Sequence, residues 1–154
     1  MSSLFTDNLS SRTGSLDVTG LSNLQQLHAD SIIQQGTEWT SGNTATLDFS
    51  AGNGNVAFCE HTLSGNVTFA ITNIPTVAAG VFTASCIIDQ GTTARIVNTF
   101  TMNGTSKTIE WSGGSAPTGN ASTVDVFNFV CIDFGGSGTI SDYRVLGNMN
   151  GGFA

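Results

Sequence analysis

Charge is the first thing this chain has little of. Only 10% of its residues are Asp, Glu, Lys or Arg, against about 25% in an ordinary globular domain. Basic residues are scarcest: Lys and Arg together number 4 against 11 Asp and Glu, for a net charge of −7. Arg12, Arg95, Lys107 and Arg144 are too few and too scattered to line a phosphate-binding groove, which excludes nucleic acid as an electrostatic partner. No apolar run approaches the ~18 residues of a membrane-spanning helix. The opening Met1-Ser-Ser-Leu4-Phe5-Thr-Asp7 has neither a basic nor an apolar region, so no signal peptide is expected, and the chain is expected to fold in a reducing cytoplasm. Proline occurs twice and cysteine three times. Cys59, Cys86 and Cys131 each lie inside strand-like patterns, with no CxxC pair and no histidine at ligand spacing. They read as buried free thiols rather than as disulfides or metal ligands.

What is abundant is Gly, Ser, Thr and Asn, together with enough apolar residues (39%) for a real core. From Thr40 onward the chain reads as strand after strand. Thr46-Leu47-Asp-Phe49 and Val67-Thr-Phe69-Ala-Ile71 alternate apolar with polar, the pattern of a half-buried strand. Val81–Asp89 and Val124–Ile132 are apolar at nearly every position, as in strands at the middle of a sheet. Val56–Leu63, Arg95–Met102, Lys107–Trp111 and Thr139–Leu146 complete the set. Ala51-Gly52-Asn53-Gly54, Ser64-Gly65-Asn66, Gln90-Gly91 and Asn103-Gly104 punctuate them, the last being a strong hairpin signal. About eight strands with frequent turns predict an all-β fold: an antiparallel two-sheet sandwich of jelly-roll type.

Residues 1–40 differ, and the chain divides into an N-terminal arm (1–40) and a β-sandwich domain (41–154). Short units restart on Leu16, Leu21, Leu24 and Leu27, then Ile32-Ile33. Residues 21–35 fit a helix with Leu21, Leu24, Leu27 and Ile32 on one side. Short strands separated by turns fit better, because of Val18-Thr-Gly20 and Ser31-Ile-Ile33-Gln-Gln-Gly36. Either way one copy of so thin an arm buries too little to offset the ~1–2 kcal/mol cost of fixing each residue. Partner chains or a docking surface are expected to supply the rest.

Reactive constellations are hard to find. His61 adjoins Glu60, but strand alternation sends the two to opposite faces, and His28 stands alone. No nucleophile elbow, zinc-protease motif, phosphate loop or calcium loop occurs. Asp125, Asp133 and Asp142 near strand ends are candidates for a cation site or for an acid–base pair in glycoside hydrolysis. Asp at such places more often holds loop N–H groups, and wet carboxylates beside Gly-rich turns make poor acids at neutral pH. The expectation is no catalytic residue, no cofactor and no metal. Trp39, Trp111, Tyr143 and the terminal Phe153 are the candidate glycan or interface contacts, since an aromatic ring can stack on a sugar or fill a neighbour's pocket.

One constellation organises the rest: Trp111-Ser-Gly113-Gly114-Ser-Ala116-Pro117, then Val124-Asp125-Val-Phe127 leading into Asp133 and Gly135-Gly136, with Tyr143 beyond. Ahead of it stand Thr46-Leu47-Asp-Phe49-Ser50-Ala-Gly52-Asn53, Leu63-Ser-Gly65-Asn66-Val67-Thr68-Phe69 and Asp89-Gln90-Gly91. In this order and spacing the motifs resemble a module of bacteriophage tail-fibre and other virion surface proteins. Asp7-Asn8-Leu9-Ser-Ser-Arg12-Thr-Gly14-Ser15 likewise resembles the start of many phage fibre proteins. A Thr-Val-Thr-Trp-Pro run common in that family is replaced here by Asn103-Gly-Thr-Ser-Lys107. The resemblance implies a non-enzymatic virion protein assembled in the host cytoplasm. It would be a short tail fibre or appendage, or a capsid decoration (cement or head-fibre) protein. It would form a homotrimer, with residues 1–40 contacting other proteins of the capsid or tail and host surface glycan as a further partner. A carbohydrate-binding host-attachment module is the alternative, and a glycan hydrolase the more distant one.

Overall fold

The computed structural model describes residues 35–50 and 54–154. Ten strands form two sheets: β1 (Thr37–Glu38), β2 (Thr44–Asp48), β3 (Val56–Cys59), β4 (Val67–Thr72), β5 (Val81–Asp89), β6 (Val97–Met102), β7 (Thr105–Lys107), β8 (Ile109–Trp111), β9 (Val124–Asp133) and β10 (Tyr143–Phe153). The six-stranded sheet runs β1-β3-β5-β9-β10-β8, and the four-stranded sheet runs β2-β4-β6-β7. The all-β, two-sheet expectation therefore holds. The expected helix-or-strand arm over residues 21–35 lies outside the described residues except at Gln35.

The pairings are mixed where antiparallel ones were expected. From β1 to β6 the chain changes sheet at every step, so β1, β3 and β5 stack in parallel on one side and β2, β4 and β6 stack in parallel on the other. Parallel neighbours need a long crossover, and here each crossover contains a strand of the opposite sheet. Turn signals such as Ser64-Gly65-Asn66 are thus corners between sheets rather than hairpin tips. Only the later strands pair antiparallel: β6 with β7, β5 with β9, and β9 with β10. Asn103-Gly104 is the hairpin its sequence announces. Both residues have positive φ, 46° and 80°, as a two-residue turn with both central residues left-handed requires.

Four further expectations are adjusted. Residues 105–111 form two strands in different sheets, because the chain crosses over at Thr108. β3 stops at Cys59. The last strand begins at Tyr143 after a single 3-10 turn and runs on to Phe153, which pairs with Val124, so the tail is sheet. The sheet also begins ahead of residue 41, since β1 pairs with β3 and Trp39 lies in the core.

Parallel stacking puts like residues in line. Ala45, Phe69 and Phe100 fall in one cross-strand row, and Leu47, Ile71 and Met102 in the next; all six are buried. On the facing sheet, Ala84, Phe129, Gly147 and Trp111 form a row that alternates small with large. Phe129 meets Phe69 and Phe100 of the opposite sheet, with ring centroids 5.5 and 5.0 Å away, and Trp111 of its own sheet at 5.9 Å. A row must leave room for its large members. A Cβ at Gly147 would stand 2.7 Å from Ile109 Cγ2 and 2.9 Å from Trp111 Cε3, so only glycine lets the indole settle there.

The three cysteines are free and buried. Burial pushes the Cys59 thiol up to about 11 and the Cys131 thiol up to about 12, from an ordinary 9.0, and raises Cys86 well above that value. The unfolded chain sheds these protons near 9.0, while the folded chain keeps them to higher pH. Stability from this source is complete below the unfolded value and is lost as pH rises toward the folded ones. Denaturant midpoints measured across alkaline pH should hold steady to about pH 8 and fall above about pH 9, and a Cys131→Ala, Cys86→Ala double variant should flatten the decline. A second test concerns the ring cluster: Phe129→Ala should lower stability by about 3–5 kcal/mol in chemical denaturation, the cost of emptying a close-packed aromatic site.

Candidate functional site

The three carboxylates do not form one site. Asp125 and Asp133 occupy opposite ends of β9, eight positions apart, which is roughly 26 Å along an extended strand and beyond the ~5–10 Å that paired glycosidase carboxylates need. Nor are the two wet, as strand-end positions had suggested: Asp125 and Asp133 are both buried. Loops fold over them and donate. Asp125 accepts from Asn120 N (2.7 Å), Asn120 Nδ2 (2.9 Å), Gln90 Nε2 (3.0 Å) and Gly152 N (3.1 Å). It thereby fastens the 112–123 loop and the end of β10 to the turn after β5. Asp133 accepts from Gly138 N (2.6 Å), Gly136 N (2.9 Å) and Ala79 N (3.0 Å), holding two loops at the other end. Asp142 takes the Ser137 hydroxyl at 2.6 Å, and that bond is the main cause that lowers its pKa. The structure thus favours the loop-holding role for all three.

His61 is engaged similarly. Its Nδ1 lies 3.1 Å from the Trp39 carbonyl and its Nε2 lies 2.8 Å from the Gly42 carbonyl, so the ring ties β3's exit to the corner before β2. Among the described residues, no group of three or more His, Cys, Asp or Glu is placed to hold a metal ion.

The aromatic candidates separate. Trp39 is 7% exposed and meets His61 edge-on, with centroids 5.8 Å apart. Tyr143 is 3% exposed, beside Phe82. Neither presents a face to a ligand, because both point between the sheets. Phe153 is 55% exposed at the end of β10. Trp111 is half-buried and borders three separate hollows. One, of about 420 Å³, lies over the outward residues Asn128, Val130, Leu146 and Asn148. Another, of about 440 Å³, lies between the 112–117 turn and Asn148–Asn150. The third, of about 400 Å³, lies toward β6 and β7.

Sequence reasoning missed what surrounds this rim. The last strand expected from sequence ends at Leu146, but β10 carries Asn148 and Asn150 outward at alternate positions beyond it; the spacing Arg144, Leu146, Asn148, Asn150 was the available signal. It also missed Phe134, 58% exposed, with the Arg144 guanidinium 4.8 Å above its ring. Arg144 forms an ion pair with Glu110 of β8. That contact draws the Glu110 carboxyl below its ordinary range and raises the arginine.

Comparison of the chain with family models, with curated proteins and with solved structures finds no match.

Replacing Asp125 tests its structural role. Asp125→Ala strands several buried donors at once and should destabilise the fold by about 2–4 kcal/mol. Urea unfolding should show the midpoint falling with the slope unchanged.

Proposed function

We propose that this chain is a non-enzymatic structural protein of a bacteriophage particle: a short tail fibre or appendage, or a capsid decoration (cement or head-fibre) protein, working as a homotrimer. The observation that carries the non-enzymatic part is the engagement of the side chains best suited to chemistry. Asp125 and Asp133 are each held by backbone or amide groups from at least two chain segments, and His61 lies against two carbonyls of the corner between β1 and β2. Such groups fix loops, which suits a protein that persists on a particle surface. The order of motifs from Thr46 to Tyr143, with Trp111-Ser-Gly113-Gly114 at its centre, supplies the resemblance to virion surface proteins.

Self-association is supported by the outer face of the six-stranded sheet. Val81 and Val130 are exposed there, and Ile87, Val126, Ile132 and Leu146 are only half-buried. These apolar residues lie on either side of a polar row, Ser85, Asn128 and Asn148; burying them against a second copy removes apolar surface from water, and a surface with 10% charged residues does little to keep copies apart.

Sedimentation of the full chain at micromolar concentration should give a single trimeric species; a stable folded monomer would refute the reading. Removal of residues 1–36 leaves every strand from β1 onward in place. That truncated chain should still melt cooperatively yet no longer enter particles, and normal incorporation would assign attachment to another part of the chain.

A further inference from the structure

We infer that His61 is a proton-operated latch: its ring closes the corner between β1 and β2 when it carries two protons and lets the corner open when it carries one. The ring faces two acceptors. Nδ1 lies 3.1 Å from the Trp39 carbonyl oxygen, and Nε2 lies 2.8 Å from the Gly42 carbonyl oxygen. A carbonyl oxygen only accepts, so each contact needs an N–H. A neutral imidazole has one N–H and one bare nitrogen, and either tautomer sets a lone pair against one of the carbonyls. The imidazolium has two donors and matches both. Turning the ring over would exchange both nitrogens for C–H groups and lose both bonds.

The part that the latch closes has few other ties. β1 has two residues, lies at the edge of its sheet and pairs with β3 through Thr37 opposite Ala57 and Glu38 opposite Phe58. The Trp39 N–H on the Phe58 carbonyl (3.0 Å) and the Gly54 N–H on the Gln35 carbonyl (2.6 Å) extend the pairing by a bond at each end. Its inner side carries a penalty. Thr37 Oγ1 and Trp39 Nε1 are buried and, among the described residues, have no hydrogen-bond partner. Such groups favour opening, because water would satisfy them. Gly42 supplies the hinge. Its φ is +73°, and a Cβ there would meet nothing within 4 Å, so the corner has room to move. The two contacts of the ring are unequal, since the one with Trp39 is part-buried and the one with Gly42 is exposed. The neutral ring therefore keeps its single N–H on Trp39 and gives up Gly42, whose oxygen water can serve.

Carbonyl geometry, and not a neighbouring carboxylate, operates the device. The titratable groups on the elements around the ring are Glu38 of β1, Asp48 at the far end of β2, Cys59 and Glu60 at the exit of β3, and Asp89 at the end of β5. Among the described residues the one ion pair is Arg144 with Glu110, so none of these carboxylates pairs with His61. Burial pushes the Cys59 thiol up to about 11, so it stays neutral wherever histidine titrates. What changes between the two states is the proton on the ring, which histidine exchanges between about pH 5 and pH 8. Acid closes the latch, and a rise toward the upper end of that window opens it. This inference stands apart from the particle reading, because it follows from one corner of the fold.

Two measurements on the full-length protein test it. Long-range proton–nitrogen NMR of isotope-labelled protein reads the proton on each ring nitrogen. The chain has two histidines, and His28→Gln identifies the His61 signals. At about pH 5 both His61 nitrogens should carry protons, and at about pH 8 Nδ1 alone should. Amide hydrogen exchange, corrected for its intrinsic dependence on pH, then reads the corner. The Trp39 amide should open about tenfold more often at the higher pH than at the lower, the loss of one charge-assisted hydrogen bond. The Phe129 amide, in the middle of β9, should show no such change. His61→Gln keeps a donor but does not titrate, and should give the same Trp39 protection at both pH values. Three results would each overturn the proposal: a His61 ring with one proton at the lower pH, Trp39 protection that does not change with pH, or a change that persists in His61→Gln. The NMR titration needs no substitution at His61, so it decides the matter even if that variant fails to fold.

Discussion

The contact on which the rest depends is made by Phe129. It reaches from the six-stranded sheet to Phe69 and Phe100 of the four-stranded one, and sideways to Trp111. Two sheets packed face to face hold only if their inner side chains interdigitate, and this residue is the shared knob. Its neighbours in the row show the constraint working outward. Ala84 is small because Phe129 is large, and Gly147 has no side chain because Phe129 and Trp111 flank it. Trp111 can then rest at the sheet edge, held from beneath and open at its rim. The shape of this sheet edge is therefore a consequence of core packing.

A second constraint follows from the alternating course of the chain. Each change of sheet makes a corner, and a corner carries backbone N–H and C=O groups that no ladder satisfies. In a chain with 10% charged residues, a few carboxylates and amides do this work repeatedly. Counting its own strand in each case, Asp125 joins four segments and Asp133 joins three, while Gln90 pairs with both the N–H and the C=O of Arg95. Lys107 reaches the carbonyls of Ile140 and Ser141, both at 3.0 Å. A buried acceptor with three or four donors is costly to remove, since its loss leaves each donor unmatched in a dry environment. Charge is rare in this protein and is concentrated where the backbone turns.

Much of this was legible in the sequence, and what was not has physical causes. Alternation in Val67–Thr72 and density in Val124–Ile132 gave strands that the structure contains, and Asn103-Gly104 gave its hairpin, because these signals are local. Strand pairing is not local. Nothing within Val56–Cys59 distinguishes a neighbour that returns at once from one that returns after a detour through the other sheet, so parallel stacking was invisible. Burial of Asp125 was equally hidden: its donors Asn120 and Gly152 lie on opposite sides in sequence, and only β10's course past Gly147 brings Gly152 to it. The aromatics show the same limit. Trp39 and Trp111 look alike as letters and both turn inward, yet one is closed in beside His61 while the other, at the end of a short edge strand, stays half-exposed. The extension of β10 through Asn148-Met149-Asn150 was readable from its alternation, had the glycines that follow not suggested a tail.

The outer face of the six-stranded sheet bears on how copies of such a chain can meet. This face carries Val81, Val130 and Ile132 toward one end and Ile87 and Val126 toward the other, with the polar row Ser85, Asn128 and Asn148 between them; burial against a second copy removes apolar surface from water mainly at the two ends. The amides of Asn148 and Asn150 and the Trp111 rim lie toward the β8 side. Burying bare amides without partners would cost free energy, so the polar margin is the part best left facing solvent. The apolar ends of this face are therefore the parts that would gain most from a second copy, and the polar row between them the part that would gain least. Toward β8 the same sheet has a free margin, because β8 ends early at Trp111 and, among the described residues, leaves β10 unpaired on that side beyond Gly147.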